Sequence, residues 1–285
     1  MVASKKILDG KKLAKKIRGD VKNEIMEIKE KKGIVPGLSV IIVGDDPASS
    51  TYVAKKEKAA EKLGINSKIY RLPESTTESH LLSIIQRLNS EDSVDGILVQ
   101  LPLPDHISKE KIISAISPEK DVDGFHTTNA GKMFQNKSTL LPCTPYGVIK
   151  LLESKNISLE GKHVVIVGAS DIVGKPMAML ALNRMATITI CHIATQDLAY
   201  HTRQADVLIV AVGKVNLITA DMVKEGAIVV DVGINRSEDR LVGDVDFEDV
   251  GKKAELISPV PGGVGPMTIA MLMHNTLMAM KERRG

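Results

Sequence analysis

The chain has 285 residues, enough for two domains of ordinary size, and its 43% hydrophobic and 26% charged content is that of a globular protein whose core, with 2% aromatics and no Trp, is built from Ile, Val, Leu, Ala and Met. A net charge of +3, with both signs mixed along the chain, argues against a nucleic-acid surface, and no apolar run approaches the ~20 residues that span a bilayer. Two cysteines, Cys143 and Cys191, predict reduced thiols in a cytoplasmic protein, the basic N-terminus lacks the apolar stretch of a secretory signal, and the scattered histidines show no metal-ligand spacing, so no metal is expected.

Leu13, Ile17, Val21, Ile25 and Ile28 recur at helical spacing and predict a first helix with one buried stripe; Lys11, Lys12, Lys15, Lys16, Arg18 and Lys22 form its solvated basic face. Strands and helices then alternate. Residues 38–43 read as a strand, 50–63 as a helix stopped by Gly64, 68–72 as a strand, 78–88 as a helix, 96–101 as a strand and 109–116 as a short helix. This order predicts a parallel sheet with helices on its faces. Residues 117–145 carry Pro, Asp, Gly, Thr and Asn with little periodicity and read as a long functional loop. A helix over 146–154 joins a second alternating series: strands at 163–167, 187–191, 207–212 and 227–232, helices at 174–183 and 197–204, and a short one near 220–224. The loop PVPGGVGP (259–266) leads into a last helix over 267–281, whose Met267, Met271, Met273, Met278 and Met280 read as core. The boundaries predicted are 1–145 with 267–285 for one domain and 146–266 for the other.

Tyr52 and Lys56 stand four residues apart on a predicted helix, so ring and amine share a face. The ring suits a flat substrate, and an enclosed amine suits proton transfer. Gln100 lies at the carboxyl edge of the neighbouring strand, where open α/β sheets bind ligands, and can orient the amine without adding charge. Asp121 and Asp123 sit in the long loop, and a buried aspartate grips an amidine-like N–C–NH2 edge with paired hydrogen bonds. In the second series, Gly168-Ala169-Ser170 followed by Gly174 lies between a strand and a helix, the context of a dinucleotide turn, although the spacing GxSxxxG is one residue longer than the usual fingerprint. The following strand ends Thr189-Ile190-Cys191-His192-Ile193-Ala194-Thr195, with no carboxylate before Asp197 to hold a ribose 2′-hydroxyl. His192 and Thr195 facing a 2′-phosphate favour NADP over NAD. The turn Gly233-Ile234-Asn235, at another strand end, offers backbone to a nicotinamide ring.

Taken together, VGDDPASSTYVAKKEKAAEKLGI (43–65), GILVQLPLP (96–104), SPEKDVDGFHTTNAGK (117–132), PCTPYG (142–147), VGASDIVGKPM (167–177), DVGIN (231–235) and SPVPGGVGPMT (258–268) resemble the bifunctional methylenetetrahydrofolate dehydrogenase/methenyltetrahydrofolate cyclohydrolase family, in that family's order and over nearly the whole chain. The resemblance implies two α/β domains flanking a cleft, the C-terminal one a Rossmann-like NAD(P)-binding domain, with the last helix returning to the first domain, and a homodimer. It implies tetrahydrofolate derivatives as substrates and NADP as cofactor, with NAD second. Catalytic roles carry over to Lys56, Tyr52, Gln100 and Asp123. A folate pocket would be lined by Tyr52, Val99, Gln100, Leu101, Asp123, Pro261, Gly262 and Gly263. The cofactor would meet Gly168, Ala169, Ser170, Ile193, Thr195 and Ile234. Ile193 stands where the family often has serine, Ala169 where many members have arginine, and Thr127 where a proline is common.

Overall fold

The computed structural model describes residues 2, 6–237 and 240–285; the N-terminal signal reading falls partly outside them. The chain divides into two compact units, one of Lys15–Cys143 with Ile269–Gly285, the other of Met1–Ala14 with Thr144–Thr268. The predicted boundaries place residues 1–14 in the first domain. A parallel bridge between Ile7 and Ile257, and Leu8 N donating to Ile257 O at 2.9 Å, tie them instead to the second unit.

The first unit is built on a helix α1 (Gly10–Lys32), strands β1 (Gly37–Val43), β2 (Asn66–Leu72) and β3 (Gly96–Val99), and helices α2 (Pro47–Leu63), α3 (Glu78–Ser90), α4 (Lys109–Ala115) and α5 (Thr127–Phe134). The strands are parallel in the order β2-β1-β3. Every residue of β1 is buried, as expected of a central parallel strand covered on both faces. Ile41 and Val43 pack with Leu81, Ile85 and Leu88 of α3, Ile97 of β3 and Ile112 of α4. Helix α2 begins three residues before the predicted start. Pro47 opens it, and the Asp46 carboxylate accepts a hydrogen bond from Ser49 N at 2.7 Å. Strand β3 ends at Val99, two residues early, although Gln100 N still donates to Ile41 O at 2.8 Å. Helix α5 interrupts the stretch predicted as loop; His126 Nδ1 accepts from Thr128 N at its start. Lys120 is fully buried in this stretch, and its ammonium donates to the carbonyls of Leu88, Asn89 and Glu91 at 2.7–3.0 Å, satisfying the C-terminus of α3.

The second unit contains α6 (Cys143–Glu153), β4 (His163–Val167), α7 (Gly174–Leu182), β5 (Thr187–Cys191), α8 (Leu198–Thr202), β6 (Val207–Val210), a 3-10 turn at Ala220–Met222, β7 (Ile228–Asp231), a hairpin of β8 (Asn235–Ser237) and β9 (Arg240–Val242), α9 (Phe247–Lys253) and β10 (Leu256–Ile257). Five parallel strands run in the order β10-β7-β6-β4-β5. The chain starts in β4, steps outward to β5, then returns to the other side of β4 through β6. The reversal places a topological switch point between the carboxyl ends of β4 and β6. The hairpin and α9 were not predicted. A final helix, α10 (Val264–Arg284), starts before Pro266, which sits in its first turn. Among the described residues no helix is long and apolar enough to cross a membrane.

Candidate functional site

In the first unit, one turn of α2 separates Tyr52 from Lys56. Lys56 is only 6% exposed, and its Nζ donates to Gln100 Oε1 at 2.9 Å. Gln100 Nε2 in turn donates to Leu101 O at 2.7 Å, so the amide presents its oxygen to the amine and its orientation is fixed. Tyr52 is half-buried, which raises its phenol above the ordinary value, and Lys55 Nζ lies 5.8 Å from its ring centroid. Val99, beside Gln100, packs its side chain into the apolar core, so its backbone is what it can offer a ligand.

Asp121 and Asp123 divide their labour. Asp121 is buried and accepts from His126 N at 2.8 Å and Asn129 Nδ2 at 2.9 Å, which makes it the tie between the loop and α5. Asp123 is partly exposed. Desolvation pushes its carboxyl upward, attraction from Lys56 opposes this, and repulsion from Asp121 adds to it. The Cys143 thiol, buried and facing Asp123, is held well above its ordinary value, chiefly by burial, and is therefore a neutral neighbour at pH 7. Asn275 of α10 donates to Val122 O at 2.9 Å and Leu141 O at 2.8 Å, fastening the segment that carries Asp123 to the one that carries Cys143. Sequence reasoning missed Cys143 and Asn275. Pattern alone does not bring residues 122, 143 and 275 together.

In the second unit, Gly168 adopts φ +119°, and a Cβ there would lie 2.2 Å from Ala211 O. The backbone after β4 thus presses against the backbone after β6 at the switch point. A Cβ on Gly174 would sit 2.0 Å from Gly168 O, so α7 lies directly on the turn. These are two of the three glycine roles of a dinucleotide turn, and they survive the longer spacing. Ser170 Oγ accepts from Val173 N at 3.2 Å and Gly174 N at 3.4 Å, at the entry to α7. At the end of β5, Thr195 Oγ accepts from His192 N at 2.8 Å, and Ile193 projects fully into solvent. Ile234 is 42% exposed after β7. Pro261, Gly262 and Gly263 belong to this second unit, where Gly262 O accepts from Lys11 N at 2.8 Å, while Tyr52, Lys56, Gln100 and Asp123 belong to the first.

An α/β chain with a dinucleotide turn at a sheet switch point, and with a buried lysine hydrogen-bonded to glutamine beside a tyrosine, is a two-unit enzyme of the nucleotide-dependent class. Residues 8–123 match the catalytic domain, and residues 142–284 the NAD(P)-binding domain, of tetrahydrofolate dehydrogenase/cyclohydrolase, and the chain belongs to that family. It is 59% identical over 277 residues to the bifunctional protein FolD of Nautilia profundicola, covering 97% of each chain. Among solved structures it resembles the bifunctional FolD of Campylobacter jejuni at 58% identity and TM-score 0.96, covering 97% of this chain and 99% of that one. It also resembles the Trypanosoma brucei enzyme, solved with NADP cofactor and inhibitor, at 39% identity and TM-score 0.94, covering 98% of each.

Proposed function

We propose that this chain oxidises 5,10-methylenetetrahydrofolate to 5,10-methenyltetrahydrofolate with NADP+ and hydrolyses the methenyl product to 10-formyltetrahydrofolate. The observation that carries the reading is the Lys56–Gln100 hydrogen bond with Tyr52 one turn away, inside a chain of this family. When bound, NADP+ would supply the acceptor for the hydride of the methylene carbon. Tyr52 offers its ring to the flat folate, and Asp123 offers a carboxyl group to the N–C–NH2 edge of the pterin. Hydration then needs proton transfer. Water adds to the methenyl carbon and loses one proton to leave a hydroxyl; the bond from that carbon to N5 then breaks as the hydroxyl loses its second proton and N5 takes one up, leaving the formyl group on N10 and one proton released. We assign the relay of these protons to Lys56 Nζ, which the Gln100 oxygen holds in position. From the family resemblance we also assign folate contacts to Val99 and Leu101, and separately to Pro261, Gly262 and Gly263.

The crevice at the β4–β6 switch point fits a dinucleotide, because Gly168 and Gly174 leave no Cβ between turn, strand and helix. We assign Gly168, Ala169 and Ser170 to its phosphates and ribose, Ile193 and Thr195 to the adenosine side, and Ile234 to the nicotinamide. The absence of a carboxylate from the 189–195 strand end supports NADP over NAD, as does the NADP bound to the Trypanosoma brucei relative. We further assign the protein to the cytoplasm as a homodimer, on the two free buried cysteines and the family resemblance.

The test follows absorbance at the methenyl and reduced-nicotinamide bands, with methylenetetrahydrofolate and either NADP+ or NAD+. Growth of the nicotinamide band with NADP+, and little methenyl build-up, is the expected result. Persistent methenyl accumulation would remove the cyclohydrolase half, and turnover with NAD+ alone would reverse the cofactor assignment.

A further inference from the structure

Asp244 lies just after the β8–β9 hairpin and is completely buried. Its Oδ2 accepts from Val212 N at 2.7 Å and Gly213 N at 3.0 Å, and its Oδ1 accepts from Lys214 N at 2.9 Å. Three successive backbone N–H groups of the loop after β6 therefore converge on one carboxyl group. Such a concavity of N–H groups ordinarily receives an anion, and here the chain fills it from within. Oδ1 also accepts from Asn235 Nδ2 at 2.8 Å. On the other side of Ile234, a Cβ on Gly233 would lie 2.2 Å from the Asp244 carboxyl group, and Gly233 N donates to Asp231 Oδ1 at 3.0 Å. Both neighbours of Ile234 are thus pinned to Asp244, one by close approach and one by a hydrogen bond, while Ile234 itself stays exposed. The loop after β6 is one wall of the switch-point crevice, and the 233–235 turn stands at the end of the adjacent strand β7.

We propose that Asp244 is a positioning residue for the dehydrogenase step, locking the loop after β6 and the turn around Ile234 into a single edge that sets the nicotinamide ring of the bound cofactor. The inference rests on the functional reading above, since it takes Ile234 as the nicotinamide contact. Asn at this position would turn an amide N–H2 toward groups that are themselves donors. Either orientation of Asp244→Asn loses two of the four hydrogen bonds, since each carboxylate oxygen accepts two.

The experiment compares the full-length parent, Asp244→Asn, Asn235→Ala and the double variant carrying both. Saturation-transfer NMR with NADP+ reads the adenine and nicotinamide protons separately and needs no turnover. Dehydrogenase kcat is measured beside hydrolysis of methenyltetrahydrofolate without nucleotide, a step that requires the folded chain but no cofactor. In Asp244→Asn we expect adenine contact to persist, nicotinamide contact to weaken, and dehydrogenase kcat to fall about tenfold or more while hydrolysis stays within about twofold. Asn235→Ala shows the same pattern more weakly, and the double variant is no worse than Asp244→Asn, because both act through one link. Equal loss of adenine and nicotinamide signals with both activities falling together would reduce Asp244 to a stability role. Unchanged dehydrogenase would overturn the proposal outright. If Asp244→Asn does not fold, Asn235→Ala decides between the same outcomes. A parent that binds NADP+ but turns over neither folate sinks the functional reading, and the NMR comparison then still judges Asp244.

Discussion

Lys56 is buried and donates to the neutral oxygen of Gln100, which holds the amine in place without adding a charge. Lys56→Met keeps most of the apolar stem and removes the proton carrier. We expect methenyl hydrolysis to fall by about 100-fold or more, the range of a lost general acid–base group, while folate still binds. Stopped-flow decay of added methenyltetrahydrofolate, beside equilibrium folate titration, measures both, and a hydrolysis rate like the parent's would remove Lys56 from the mechanism. Asp231 supplies a different test. It is buried at the end of β7, and desolvation, with repulsion from Asp244 adding and three backbone N–H bonds opposing, pushes its carboxyl up to about 7. A carboxyl raised on folding binds its proton more tightly in the folded chain than in the unfolded one. Its contribution is therefore complete below about pH 4 and is lost as pH rises through about 7. Thermal melting across pH 4–8 should show this loss superposed on the other titrations. Asp231→Asn should flatten that component, and an unaltered profile would mean that Asp231 does not titrate there.

At the scale of elements, apolar runs bounded by breakers made β1, β4 and β6 legible, because these central parallel strands are buried on both faces. Helix α5 was not legible. Its sequence TTNAGKMF is short and opens on polar residues, and it is held by the tie from Asn129 to Asp121. Helix α9 did carry a signal that the reading passed over: Asp246 as N-cap, Glu248 and Asp249 in the first turn, Lys252 and Lys253 in the last. The β8–β9 hairpin strands are three residues each and largely exposed, too short for alternation to show. Two glycines separate conformational cost from packing. Gly19 lies inside α1 with open space around its Cα, so Gly19→Ala should stabilise by about 0.5–1 kcal/mol. Gly174→Ala drives a methyl into Gly168 O. It should cost about 1–3 kcal/mol and weaken NADP+ binding, because α7 must lift off the turn. Urea unfolding of both variants, with cofactor titration of the second, checks the pair; a neutral Gly174→Ala would mean that the turn yields freely.

At the scale of the whole chain, the sequence announced the alternation of strands and helices but not the contacts that close each unit. The return of α10 to the first unit was expected from family resemblance, and its chemistry became visible only in space. Asp95, at the entry to β3, has a fully buried side chain. It accepts from Gly37 N at 2.8 Å and Arg283 at 2.9 Å, and forms a two-toothed pair with Arg284 through Nε and Nη2. Arg284 also donates to Val35 O at 2.9 Å, and Arg283 to Val94 O at 2.8 Å. One carboxylate therefore gathers the start of β1, the approach to β3 and the last turn of α10. Replacing a whole buried charge cluster by well-packed apolar groups costs little, but removing the anion alone strands two partly buried guanidinium groups and a buried N–H. Asp95→Ala should accordingly lower unfolding free energy by about 3–5 kcal/mol, far more than the loss of an exposed pair such as Lys175–Asp171. Lysine 175 to alanine, Lys175→Ala, is the matched control, and its change should stay within about 1 kcal/mol. Denaturant unfolding of the two variants decides the matter: equal small losses would mean that the C-terminal helix is held by its apolar face, and the Asp95 cluster only decorates its end.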